Sequence, residues 1–325
     1  MLPYLALFCR SAQEFFDVQL IETETDTQIN DLRNGLKIFS GRYNKGKEAA
    51  ESSDNRQNQR FKNMLRFSFM KKWNIHYNLG VYFDAHGHIV GNTQILDYFF
   101  NCPFNGIKEQ QEYAYNKGKM LGEKSAYILR AFCNVETLTI SVVVSESPKT
   151  GYRDLNTNRK SDFFLHPDSK ESNLIILHIL SSIGFVTHLF CPILPIDNKW
   201  AFRIKYVAAH YAWSGLKKMS QHFSDSGLET TTLPTNLELL IENGAVLFPS
   251  TFRNCMMHYD LCVNGVPSIK PEYFDTEKML FGLVESCFDG KGYYELAYEL
   301  DNYLHELENC LTSWFRIDMD KIKWD

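Results

Sequence analysis

Arg253, Asn254 and His258 stand in the segment Phe252-Arg-Asn-Cys-Met-Met-His-Tyr-Asp-Leu261. On a helix, Asn254 and His258 fall one turn apart on the same face, and Arg253 sits beside Asn254 with a side chain long enough to sweep to the same space. That trio suits RNA strand cleavage. The 2′-hydroxyl must lose a proton to attack the adjacent phosphate, and the 5′-oxygen must gain one to leave; histidine serves either role near neutral pH. The forked donors of arginine stabilise the extra negative charge on the phosphorane-like transition state. Asparagine can orient the imidazole or donate to a phosphate oxygen. Nothing in this scheme requires a metal. An arginine separated from a histidine by four residues arises easily by chance; an asparagine directly after the arginine makes the pattern specific.

A helix must therefore carry the motif, with Phe252, Cys255, Met256 and Leu261 facing a core. The sequence predicts one over Thr235–Leu261, opened by the capping box Thr235-Asn-Leu-Glu238 and kinked or broken by Pro249. Ahead of it lie two more. Ser172–Phe190 is apolar, with Ser172 as N-cap and Pro192 and Pro195 ending it, and Asn198–Phe223 is capped by Asp197 or Asn198. Asp275–Phe315 supplies one or two helices broken near Asp289-Gly-Lys-Gly292. The N-terminal half reads as mixed α and β. Helices fit Tyr4–Gln19 and Thr27–Phe39, and Asn44–Gln59 reads as an exposed loop or the polar start of a helix. Arg60–Lys72 has helical spacing. Tyr77–Phe83 and His86–Val90 fit a hairpin around Asp84-Ala-His-Gly, and Glu136–Ser145 is a strand. Between the halves, 149–171 is rich in Asn, Asp, Arg and Pro and reads as a linker. The expectation is a mainly α protein: a mixed α/β sensing or partner-binding module over 1–148, a linker over 149–171 and a helical domain over 172–325.

Several other side chains have the right types for chemistry. Arg203 and His210 lie two turns apart on one face of the second helix. With Lys205, Trp200 and Tyr206 they can line an RNA groove, and Tyr259 beside His258 can join them; a solvated helix stripe is the plainer reading. Asp84, His86 and His88 alternate as strand residues do and suit a metal, but no further ligands stand at a recognisable spacing, so a wet turn is the simpler reading and no metal is expected. His178 and His188 sit in an apolar helix, where core or interface positions are the default. Arg56, Arg60, Lys62, Arg66, Lys71 and Lys72, interleaved with phenylalanines, make a solvated face or a second RNA contact. The Asp154–Asp162 stretch lacks the glycine and glutamate of a calcium loop.

The 325 residues carry a net charge of −5, which excludes a globally basic nucleic-acid coat but not a local basic groove. The eight cysteines show no Cys-x-x-Cys pair and sit in apolar surroundings, as reduced cysteines do, which implies a reducing, cytoplasmic compartment. No run reads as a membrane span, because Leu174–Cys191 is interrupted by two histidines and two serines.

The segment around Arg253 resembles the R-N-x-x-x-H motif of the HEPN-superfamily ribonucleases, which include toxins, abortive-infection proteins and type VI CRISPR effectors. The resemblance covers about Ser172–Phe315, and only Arg253, Asn254 and His258 carry over by residue. It implies a short helical bundle with the motif near its third helix and a homodimer whose two motifs meet in one composite site. The implied products are a 2′,3′-cyclic phosphate and a 5′-hydroxyl, formed without a cofactor. A toxin or antiviral-defence role follows, with an antitoxin or activating partner. Members paired with nucleotidyltransferase antitoxins often carry Tyr two places after the histidine; here Asp260 stands there and Tyr259 comes one place early, so that pairing is not implied. The alternative is a HEPN scaffold that binds RNA or a protein partner without cutting.

Overall fold

The computed structural model describes residues 34–324 apart from 36, 66–75, 101–106, 133–148, 160, 167–168, 195–197, 227–232, 235, 259–260 and 264. The expected helix Tyr4–Gln19, most of Thr27–Phe39 and the strand Glu136–Ser145 lie outside the described residues. Helix α1 (Tyr43–Met64) precedes a hairpin of β1 (Leu79–Asp84) and β2 (Ile89–Asn92), then α2 (Ile95–Phe100), α3 (Ile107–Phe132) and β3 (Thr150–Leu155). Helix α4 (Lys170–Gly184) runs into a π-helix (Phe185–Phe190) and is followed by α5 (Lys199–Asp225), α6 (Leu237–Leu247) and α7 (Ser250–His258). A small ribbon of β4 (Cys262–Val263) and β5 (Val266–Pro267), then α8 (Leu283–Cys287), α9 (Tyr293–Thr312) and β6 (Lys323–Trp324), complete the chain. The architecture is mainly helical with a four-stranded antiparallel sheet ordered β2-β1-β3-β6.

The hairpin forms where the sequence places it. Asp84 Oδ1 accepts from the backbone N–H groups of His86 (2.9 Å) and His88 (2.8 Å), which satisfies the turn, and Gly87 takes the left-handed conformation (φ 88°) that the turn requires. The division at 149–171 does not hold. Thr150–Leu155 is a central strand, paired from Leu79↔Leu155 to Asp84↔Thr150 on one side and with Lys323 and Trp324 on the other. Its alternation of buried and half-buried residues is the pattern of a strand, carried by polar side chains that a composition argument reads as linker. One apolar core spans the chain from Phe39 and Ala50 through the sheet to Leu307 and Leu311, so the two halves share their interior.

The stretch Asn44–Gln59 is helix α1, and its inner face is polar yet buried. Asp54 Oδ1 accepts from Asn78 (3.3 Å), Gln94 (3.1 Å) and Thr157 (2.8 Å), while its other oxygen pairs with Lys170. Arg60 is buried and donates from Nη1 to both oxygens of Asp97 (2.7 and 2.9 Å), so it belongs to the interior and not to an RNA-contacting face. Helix α4 is almost wholly buried and lies against β2. The approach is so close that a Cβ on Gly184 would stand 2.0 Å from the Ile89 carbonyl oxygen. Ser172 is not its N-cap. It lies inside the helix and shares a 2.6 Å hydrogen bond with the Tyr43 hydroxyl. Among the described residues, Lys170–Ile193 is long and apolar enough to cross a membrane, and 67% of its apolar 18-residue window is buried inside the protein.

Candidate functional site

Asn198 caps α5, its side-chain oxygen accepting from the N–H groups of Trp200 (2.8 Å) and Ala201 (3.3 Å). Phe248 and Pro249 divide the helix expected over 235–261 into α6 and α7, and the Arg253 N–H bonds the Pro249 carbonyl at 2.9 Å. Helix α7 buries Phe252, Cys255, Met256 and Met257; Leu261, expected to face inward, is 42% exposed in the turn beyond it.

Helices α5 and α7 run antiparallel. The His210 ring lies 5.5 Å from that of Phe248 and the Tyr206 ring 5.0 Å from that of Phe252. Nearer the α5 N-terminus, Arg203 donates from Nε to the Met256 carbonyl (2.7 Å) and from Nη2 to the Cys255 carbonyl (2.8 Å). Arg203 thus satisfies carbonyls in the last turn of α7, where a helix end lacks internal partners and its dipole favours a cation.

Arg253 and Asn254 are half-buried on α7. Among the described residues, neither side chain has a hydrogen-bond or ion-pair partner. The charge of Arg253 falls on two groups of α5. Burial first, and then Arg253, pushes the His210 pKa down to about 4. Burial drives the Tyr206 hydroxyl well above its ordinary value while Arg253 opposes that rise. The Tyr206 hydroxyl and His210 Nδ1 are buried and lack partners among the described residues. A half-buried guanidinium set among neutral side chains, with no carboxylate to neutralise it, suits an anion such as a phosphate.

The structure separates the remaining sequence candidates. Lys205 turns to α9 and pairs with Asp301 (2.7 Å). His210 is neutral at physiological pH, so it offers no cation to a phosphate. Arg203 is committed to α7, and Tyr259 lies outside the described residues.

A second constellation forms at the junction of sheet and bundle. His88 Nδ1 lies 2.8 Å from Asp84 Oδ2, and His188 Nε2 lies 2.8 and 2.9 Å from the two Glu308 oxygens. The two imidazoles stack face to face, centroids 3.8 Å apart and 3° from parallel. His86 is not part of this set; it is exposed, with its ring 6.1 Å from that of His88. His188 takes the place the sequence pattern gave to His86. No local spacing announces this, because His188 is a hundred residues away on the π-helix.

Neither a family model, a curated protein nor a solved structure matches the chain. Its function therefore rests on the chemistry of its own residues.

Proposed function

We propose that the chain is a metal-independent endoribonuclease whose active site is built from Arg253, Asn254 and His258, in the manner of the HEPN ribonucleases that the motif resembles. The observation that carries this reading is the half-buried Arg253 guanidinium, with no ion-pair partner among the described residues, on the same short helix as His258. In the reaction, the 2′-oxygen of one nucleotide forms a bond to the adjacent phosphorus as the bond from phosphorus to the 5′-oxygen breaks. A histidine takes the 2′-hydroxyl proton and a second acid returns one to the 5′-oxygen, leaving a 2′,3′-cyclic phosphate and a 5′-hydroxyl. Arg253 binds the non-bridging oxygens, whose charge grows in the transition state. Asn254, one turn before His258, orients the imidazole or a phosphate oxygen. Trp200, 37% exposed in the first turn of α5, offers a face on which an unpaired base can stack.

The second half of the acid–base pair comes from a second copy of the chain in a homodimer. A toxin or antiviral-defence role, governed by an antitoxin or activating partner, accompanies the family resemblance. The test is cleavage of single-stranded RNA in EDTA, comparing wild type with His258→Ala and Arg253→Ala. Wild type is expected to cut in EDTA and leave cyclic-phosphate ends. Each variant is expected to lose about 10²–10⁴-fold in rate while its thermal midpoint stays near that of wild type. Activity abolished by EDTA and restored by a divalent ion overturns the reading. RNA binding without cleavage in wild type assigns the chain to the non-cutting scaffold class.

A further inference from the structure

We infer that Asp84, His88 and His188 form a binding site for one divalent first-row transition ion, zinc being the reference, with Glu308 orienting His188 from behind. Suitable oxygen or nitrogen atoms of Asp84, His88 and His188 all lie within 4.8 Å of one another. Two imidazoles and a carboxylate are a borderline donor set that favours zinc, nickel or cobalt over magnesium or calcium. His188 carries Glu308 on Nε2 and keeps Nδ1 available, the arrangement that fixes tautomer and ring direction in histidine metal sites.

Charge points the same way. The Asp84 side chain is 10% exposed and that of Glu308 6%, and among the described residues neither pairs with a lysine or arginine. With neutral histidines the cluster holds two buried negative charges. One divalent ion with two neutral imidazoles and two carboxylates is neutral in sum.

The backbone supports the assignment. His188 is presented by a six-residue π-helix, a conformation uncommon in proteins and concentrated at functional positions. The hydrogen bonds of Asp84 Oδ1 to its own turn hold that carboxylate in place. In parallel stacked rings the nitrogen lone pairs do not converge, so ligation requires one ring to turn. His188 is held by both Glu308 oxygens, whereas the His88 side chain is 41% exposed and has room to rotate. Rotation gives up its bond to Asp84, freeing both groups as ligands. The site would bind the sheet to the π-helix and shares no residue with the Arg253, Asn254 and His258 motif. It is independent of the ribonuclease reading.

The experiment is zinc titration of the full chain, freed of any histidine tag and stripped with EDTA, by calorimetry. Wild type is expected to bind one zinc more tightly than about 100 μM. Binding should raise the thermal midpoint and shift the His88 and His188 ring resonances. His88→Gln and His188→Gln are expected to abolish these effects. Glu308→Gln is expected to weaken binding about 10–100-fold. His86→Ala and Cys262→Ser are expected to leave binding unchanged, the second because exposed Cys262 is the obvious competing ligand. Wild type binding weaker than that, or binding that survives in both His88→Gln and a folded His188→Gln, overturns the site. RNA cleavage by Arg253 and His258 is expected to proceed in EDTA in either case.

Discussion

Arg203 shows how much of the motif's context lies outside the motif. Its guanidinium holds the last turn of α7 by two carbonyls, and so it fixes the direction in which that helix delivers His258. Removing it takes away two hydrogen bonds to a charged donor, worth roughly 1.5–3 kcal/mol apiece. The expected result for Arg203→Ala is a lower urea midpoint, and, well below its unfolding temperature, a fall in kcat for RNA cleavage with little change in KM. Arg203→Lys should recover only part of both, since an ammonium cannot fork across two carbonyls. A variant that loses stability and keeps its full kcat would reduce Arg203 to a helix cap. Arg253, Asn254 and His258 are legible in the sequence because their relation is local, one turn of one helix. The work of Arg203 is not legible, since it depends on which helix lies opposite. His188 is hidden for the same reason, in an apolar stretch where a core histidine is the natural reading.

Whole elements were legible where punctuation and periodicity agree. Pro249 breaks the motif helix, Asn198 caps α5 and Asp84 with Gly87 turns the hairpin, each through a short-range mechanism. Strand β3 escaped because its partners are seventy residues before it and at the far end of the chain. Helix α1 was half-read because its buried face is polar, satisfied by residues from the sheet and α4. Helix α4 carries a consequence for acid stability. His178 is buried between the rings of Phe39 (4.9 Å) and Tyr98 (4.7 Å), and burial pushes its pKa down to about 3. The native state keeps the imidazole neutral, while the unfolded chain takes up a proton near pH 6.5. The unfolded state therefore binds more protons below that pH. The stability from this residue is whole above about 6.5 and is lost as pH falls toward 3, at up to roughly 1.4 kcal/mol per pH unit. Urea midpoints measured at pH 7 and pH 5 should show the loss, and His178→Phe should flatten it. An equal drop in the variant would place the acid sensitivity elsewhere.

At the scale of the molecule, sheet and bundle share one core, and the proposed composite site requires two such units to meet. A single motif supplies one histidine, yet strand cleavage is served best by a base and an acid on opposite sides of the phosphate. A two-fold interface brings two histidines and two arginines to one site. By apolar composition alone, the helices predicted over 172–190 and 275–315 are candidates for the contact surface. Burial removes the first, since α4 is consumed by the core. Exposed apolar side chains stand instead on α6, at Leu239 and Val246, and on α9, at Tyr294 and Tyr298, which are 58–70% exposed. These two helices pack on each other and offer a surface for a partner copy. Val246→Asp with Tyr298→Asp is therefore expected to give a folded monomer by light scattering, with cleavage that falls steeply at low protein concentration. A mixing experiment isolates the composite site from mere dimerisation. If both histidines act in one reaction, exchanging an equal amount of His258→Ala subunits into wild type leaves about one quarter of all the pairs competent. Specific activity per wild-type chain then falls to about half, whereas independent sites would leave it unchanged. A constant value, with subunit exchange verified, would mean that each chain carries its own acid and base. The second group would then have to come from α5 or the turn after α7.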